Sequence, residues 1–80
     1  MSGENELARC VRKTLESYFR DLDGETPSGV YGMVIQCVEK PLIEVILHHT
    51  GGNQTVAADI LGLNRNTLRK KIQTHRITTS

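Results

Sequence analysis

Residues 64 to 71 read NRNTLRKK, and every one of them except Leu68 carries a group able to bond a base edge or a phosphate. An arginine forks onto the O6 and N7 acceptors of guanine, an amide pairs with adenine, and threonine and lysine reach phosphate oxygens. The spacing aims these groups. Leu68 and Ile72 lie four apart and face inward on a helix, which turns Arg65, Asn66, Arg69, Lys70 and Gln73 toward solvent or a ligand. Asn64 stands where a side-chain oxygen caps free backbone N–H groups, so a helix is expected over 65–76.

Such a helix needs a platform, and the preceding residues supply one. The segment NQTVAADILGLNRNTLRKKI, Asn53 to Ile72, reads as two short helices joined by a tight turn. The first opens on the cap Asn53 and has Val56, Ala57, Ile60 and Leu61 as its expected apolar face. Gly62 can take the left-handed backbone that closes a helix, and Leu63 follows as the plug of the turn. Small alanines at the crossing, a turn glycine, an asparagine cap and an arginine at the first helical position make a helix-turn-helix, over about 53–76, whose second helix fits a major groove. The basic run Arg69, Lys70, Lys71 alone carries little, because a helix C-terminus attracts cations through its own dipole.

The charge balance points to the same third of the chain. The net charge is only +1, yet residues 51–80 sum to +4, with Asp59 their single acid, and residues 1–50 sum to −3. A polyanion would meet the C-terminal end. Catalysis is not expected: no Ser/His/Asp or Cys/His set has enough chain around it to build a pocket, and there is no phosphate-binding glycine loop. His48, His49 and His75 find no further ligand at a compatible helical spacing, so neither a metal nor any other cofactor is expected. Cys10 and Cys37, without CxxC spacing or a secretory signal, are expected as reduced core or near-core thiols of a cytoplasmic protein.

The first fifty residues look like a scaffold. Leu7, Val11, Leu15, Tyr18 and Leu22 step by 4, 4, 3 and 4, giving one apolar stripe on a helix from about Glu4 to Leu22. DGETPSG, Asp23 to Gly29, is a loop. From Val30 to His49 twelve of twenty residues are apolar, but Glu39, Lys40 and Glu44 interrupt the run, so a membrane span is not expected. The spacing Val34, Val38, Leu42, Val45 predicts a helix, kinked at Pro41. An 80-residue chain buries little surface alone. A helix apolar around most of its circumference also needs more cover than the Leu7–Leu22 stripe provides. The expected architecture is therefore all-α: a single domain over 1–80, with dimerisation helices over about 4–49. Of the four helices per subunit, the two long ones pair with those of a second copy into the four-helix core of an intertwined homodimer, from which the helix-turn-helix units project.

These residues resemble the Fis family of bacterial nucleoid proteins, the factor for inversion stimulation and its relatives. The resemblance runs from about Leu7 to Ile72. It is carried by TLESYFRDLDG (14–24), by VEKPLIEVILHHTGGNQTVAADILGLNRNTLRKKI (38–72), and by Pro41 inside the second long helix. It implies a homodimer that binds and bends double-stranded DNA with weak sequence preference, acting in nucleoid organisation, transcription and recombination. Recognition helices set closer than one turn of straight duplex make bending a condition of binding, so sequence is read partly as deformability. By position, the resemblance makes Arg65 the guanine contact and Asn64 a contact at the outer edge of the site. Thr67 and Lys70 would grip phosphates or adjacent bases. Asn53, Gln54 and Thr55 would hold phosphate at the start of the preceding helix, and Arg69 and Lys71 would attract flanking DNA.

Departures from the family pattern narrow these expectations. Gly51 and Val56 stand where relatives can carry arginine, and Gln73 and Thr74 where they can carry lysine, so the flanking positive surface is thinner. Residues before Leu7 reach only about 3.5 Å each, and a recombinase contact through an N-terminal arm is not expected. The tail after Ile72, QTHRITTS, matches little and is expected to fray. The competing function is a dimerisation or protein-interaction module whose helix-turn-helix no longer binds DNA. The outward set Asn64, Arg65, Thr67, Arg69 and Lys70 speaks against it.

Overall fold

The computed structural model describes residues 4–78, which form four α-helices and no strand. α1 spans Glu6–Asp21, α2 Val30–His49, α3 Gln54–Leu61 and α4 Arg65–Thr74. The chain divides after Val30 into two compact units.

In the N-terminal unit Asn5 caps α1, its side-chain oxygen accepting the Ala8 N–H at 2.8 Å. The helix ends into Asp23 and Gly24, both at positive φ, and the loop follows as the sequence predicts. The apolar stripe is present, but no residue of α1 is buried, and Leu7 leaves 63% of its surface uncovered. Cys10 on α1 and Cys37 on α2 are both exposed, which corrects the expectation of core thiols.

The C-terminal unit has a core of its own. α2 runs through Pro41 as one helix. Its inner end contributes Ile43 and Leu47, α3 contributes Ala57 and Ala58, and α4 contributes Leu68 and Ile72. Ile46 and Leu61 pack against that cluster. The outer residues of α2 remain open, with Tyr31 82% and Val45 65% exposed. Gly51 and Gly52, both at positive φ, turn the chain from α2 into α3.

Two expectations about this unit need correcting. Val56 and Ile60 are exposed, and the buried face of α3 is Ala57, Ala58 and Leu61. Two adjacent alanines let α3 approach its neighbours closely, and Val56, one residue earlier and about 100° around the helix, then points away. The tail is not frayed over its described part. α4 ends at Thr74 instead of Arg76, His75 caps it, Arg76 takes a left-handed φ of 54°, and Ile77 returns into the core. The Ile77 N–H donates to the Ile72 carbonyl at 3.0 Å, the closing bond of a helix C-terminal motif that ordinarily uses glycine.

Candidate nucleic-acid interface

Two helix N-termini define the interface. At the start of α3 the Asn53 side chain accepts the Val56 N–H at 3.1 Å, and at the start of α4 the Asn64 side chain accepts the Asn66 N–H at 2.8 Å. Both caps are therefore engaged as the sequence predicts, and both asparagines remain exposed. Gly62, at φ 75°, ends α3, and the Leu63 N–H donates to the Ala58 carbonyl at 2.9 Å. That turn sets α4 across α3 with the two N-termini close together. The Arg65 guanidinium lies 3.4 Å from the Thr55 hydroxyl and donates to it, so one side chain joins the first turns of both helices.

The outward side chains of α4 follow from the burial of Leu68 and Ile72. Arg65, Asn66, Thr67, Arg69 and Lys70 are all exposed, as is Thr55 on α3, while Gln54 is half-buried. These groups offer what a duplex presents: free first-turn N–H groups and hydroxyls for phosphate, and arginine and amide groups for base edges.

Lys71 is placed differently. Its Nζ donates to Glu39 Oε2 on α2 at 2.6 Å, and His75 Nε2 lies 2.8 Å from the other Glu39 oxygen. The His75 side chain is 8% exposed. The bond to His75, and then the bond to Lys71, hold the Glu39 carboxyl below its usual range. No sequence motif marks this three-residue clamp, although Lys71 and His75 stand one helical turn apart and Glu39 stands one turn before the buried Ile43.

Asp59, which no motif marks as a site residue, also belongs to this face. It lines a shallow depression with Thr55, Asn64, Arg65 and Asn66, placing a carboxylate on the otherwise basic face. Its position four residues after Thr55 was the available signal.

Comparison with known proteins assigns the relationship. Residues 35–75 match the family described as bacterial regulatory protein, Fis family. A Fis-like DNA-binding protein of Ralstonia nicotianae is 56% identical over 73 residues, covering 91% of this chain and 95% of its own. The chain belongs to the Fis family. A Fis-like DNA-binding protein of Neisseria meningitidis serogroup A is 53% identical over 70 residues, 88% of this chain and 89% of its own. The DNA-binding protein Fis of Glaesserella parasuis is 41% identical over 70 residues, 88% of this chain and 71% of its own. The Fis family match spans α3, α4 and the inner part of α2, and so takes in every residue of the closed core except Ile77.

Proposed function

We propose that this protein is a sequence-tolerant, DNA-bending nucleoid-associated protein and transcription regulator of the bacterial cytoplasm, and not an enzyme. It binds double-stranded DNA as a homodimer, with α4 of each subunit in a major groove. The observation that carries this proposal is the convergence of the α3 and α4 N-termini on one exposed face, joined by the bond from Arg65 to Thr55. The names of the relatives, Fis-like DNA-binding protein and DNA-binding protein Fis, agree with it.

Within that face Arg65 reads guanine, with Asn64 and Asn66 beside it at base edges. Thr67 and Lys70 grip phosphates from α4, and Asn53, Gln54 and Thr55 grip them from α3. Arg69 extends the positive surface toward flanking DNA. Lys71, bonded to Glu39, stands outside this set. Dimerisation is supported by the uncovered apolar surface of Tyr31, Leu42 and Val45 on α2, which water would otherwise wet. Among the described residues no helix is long and apolar enough to cross a membrane.

The test is a fluorescence-anisotropy titration of a selected duplex and a random duplex, with the unaltered protein and with Arg65→Ala. Loss of a bidentate base contact costs about 1–3 kcal/mol at the selected site. Binding to random DNA should fall much less. If the two duplexes weaken equally, Arg65 is not the base reader, and if neither duplex binds the unaltered protein, DNA is not the ligand.

A further inference from the structure

We propose that Glu39 withholds Lys71 from DNA, and thereby limits how strongly α4 is drawn to the phosphate backbone; this rests on the DNA-binding function above. Lys71 belongs to a run of three basic residues, and composition alone makes all three equivalent. The structure does not. Lys71 Nζ is 2.6 Å from Glu39 Oε2, and its side chain is about one-third exposed. Among the described residues neither Arg69 nor Lys70 pairs with an acid, and both are exposed.

The geometry of the carboxylate makes the pairing specific. His75 lies one helical turn beyond Lys71 on the same edge of α4, and its nearly buried ring sits 2.8 Å from Glu39 Oε1. One oxygen of Glu39 is thus occupied by a ring that cannot swing into solvent, which aims the other at Lys71. Glu39 itself precedes Ile43 by one turn, so the carboxylate is anchored at the edge of the closed core. An ammonium neutralised in this way displaces no counterion from DNA, because its charge is already balanced within the protein. The basic run then delivers two mobile positive charges per subunit to the duplex, not three.

The experiment measures the slope of log Kd against log salt on one random duplex for the unaltered protein, Lys71→Ala, Lys70→Ala, Glu39→Gln and the double variant Glu39→Gln/Lys71→Ala. Thermal unfolding checks that each variant is folded under the binding conditions. Glutamine keeps the shape and hydrogen-bonding capacity of Glu39 while removing its charge, so Lys71 becomes available. The expected result is an unchanged slope for Lys71→Ala and a slope lowered by about 0.9 per subunit for Lys70→Ala. Glu39→Gln should steepen the slope by about 0.9 per subunit, and the double variant should return to the slope of the unaltered protein.

A Lys71→Ala slope lowered as far as that of Lys70→Ala would overturn the inference, since Lys71 would then already be a phosphate contact. So would a Glu39→Gln gain that persists in the double variant, since it would then come from the lost carboxylate charge and not from Lys71. Either result leaves the DNA-binding function standing. Absence of binding by the unaltered protein at every salt concentration overturns that function and the inference together.

Discussion

Leu68 in α4 and Leu7 in α1 are the same side chain in amphipathic helices of one small protein, yet Leu68 has no exposed surface and Leu7 is 63% exposed. The contrast extends to the segments around them. From Ile43 onward, α2, α3 and α4 close seven residues into a core, using short helices, two alanines and the returning Ile77. α1 and the outer part of α2 carry longer apolar stripes but bury nothing completely. Apolar content therefore does not distinguish the halves. What distinguishes them is whether one chain supplies the opposite wall, and in the N-terminal half that wall is proposed to come from a second copy.

The sharpest break in this comparison is Leu68→Ala. Truncating a leucine with no exposed surface leaves a cavity that a core of small helices cannot easily collapse, at a cost of about 2–5 kcal/mol. Urea denaturation followed by circular dichroism reads it directly. A cost below about 1 kcal/mol would mean that the C-terminal core is looser than its burial indicates.

Leu42→Asp tests the other half. Leu42 is about half exposed within one chain, so the intrachain core should tolerate the change, whereas an unpaired carboxylate in a dimer interface costs about 3–5 kcal/mol. Unfolding midpoints should then fall below those of the unaltered protein at every protein concentration. A midpoint equal to that of the unaltered protein at every concentration would show that this face meets no partner.

A smaller effect is expected at the cap shared by fold and site. Asn64→Ala removes the acceptor for the Asn66 N–H and should cost about 0.5–2 kcal/mol of stability. Asn64→Asp restores an acceptor but sets a negative charge beside phosphate, so stability should recover while DNA binding weakens. Equal recovery of both would leave Asn64 a cap and nothing more.

The smallest effect is a pH dependence in the clamp. Glu39 has its carboxyl held below the ordinary value of 4.5 by His75 and Lys71. The native state therefore binds the proton less readily than the unfolded chain, and the stability contributed by Glu39 is fully present above 4.5 and is lost as the pH falls through its lowered native value. The stability difference between the unaltered protein and Glu39→Gln should be constant from pH 7 to about 5 and shrink below that. A difference that instead grows on acidification has the wrong sign for this clamp.

The elements of the C-terminal unit were legible because each has a local signal. Asn53, Gly62 and Asn64 mark helix ends through their own backbone and side-chain preferences, and Leu68 with Ile72 sets the inward face of α4. The end of α4 was illegible because its closing residue at positive φ is Arg76, where a glycine would have announced the turn. The inward face of α3 was misjudged because bulk suggests Val56 and Ile60, whereas close helix crossing selects Ala57 and Ala58. The tie from Lys71 to Glu39 spans 32 residues, and no local pattern reports which of three adjacent basic residues will meet an acid that far away.

Sedimentation equilibrium of the unaltered chain, alone and with one short duplex, tests the central claim most directly. A folded particle of twice the 8.9 kDa chain mass, which takes up one duplex per two chains, is the predicted result. A folded 8.9 kDa monomer at micromolar concentration that binds the duplex one to one would contradict it, because the open faces of α1 and α2 would then need no second copy.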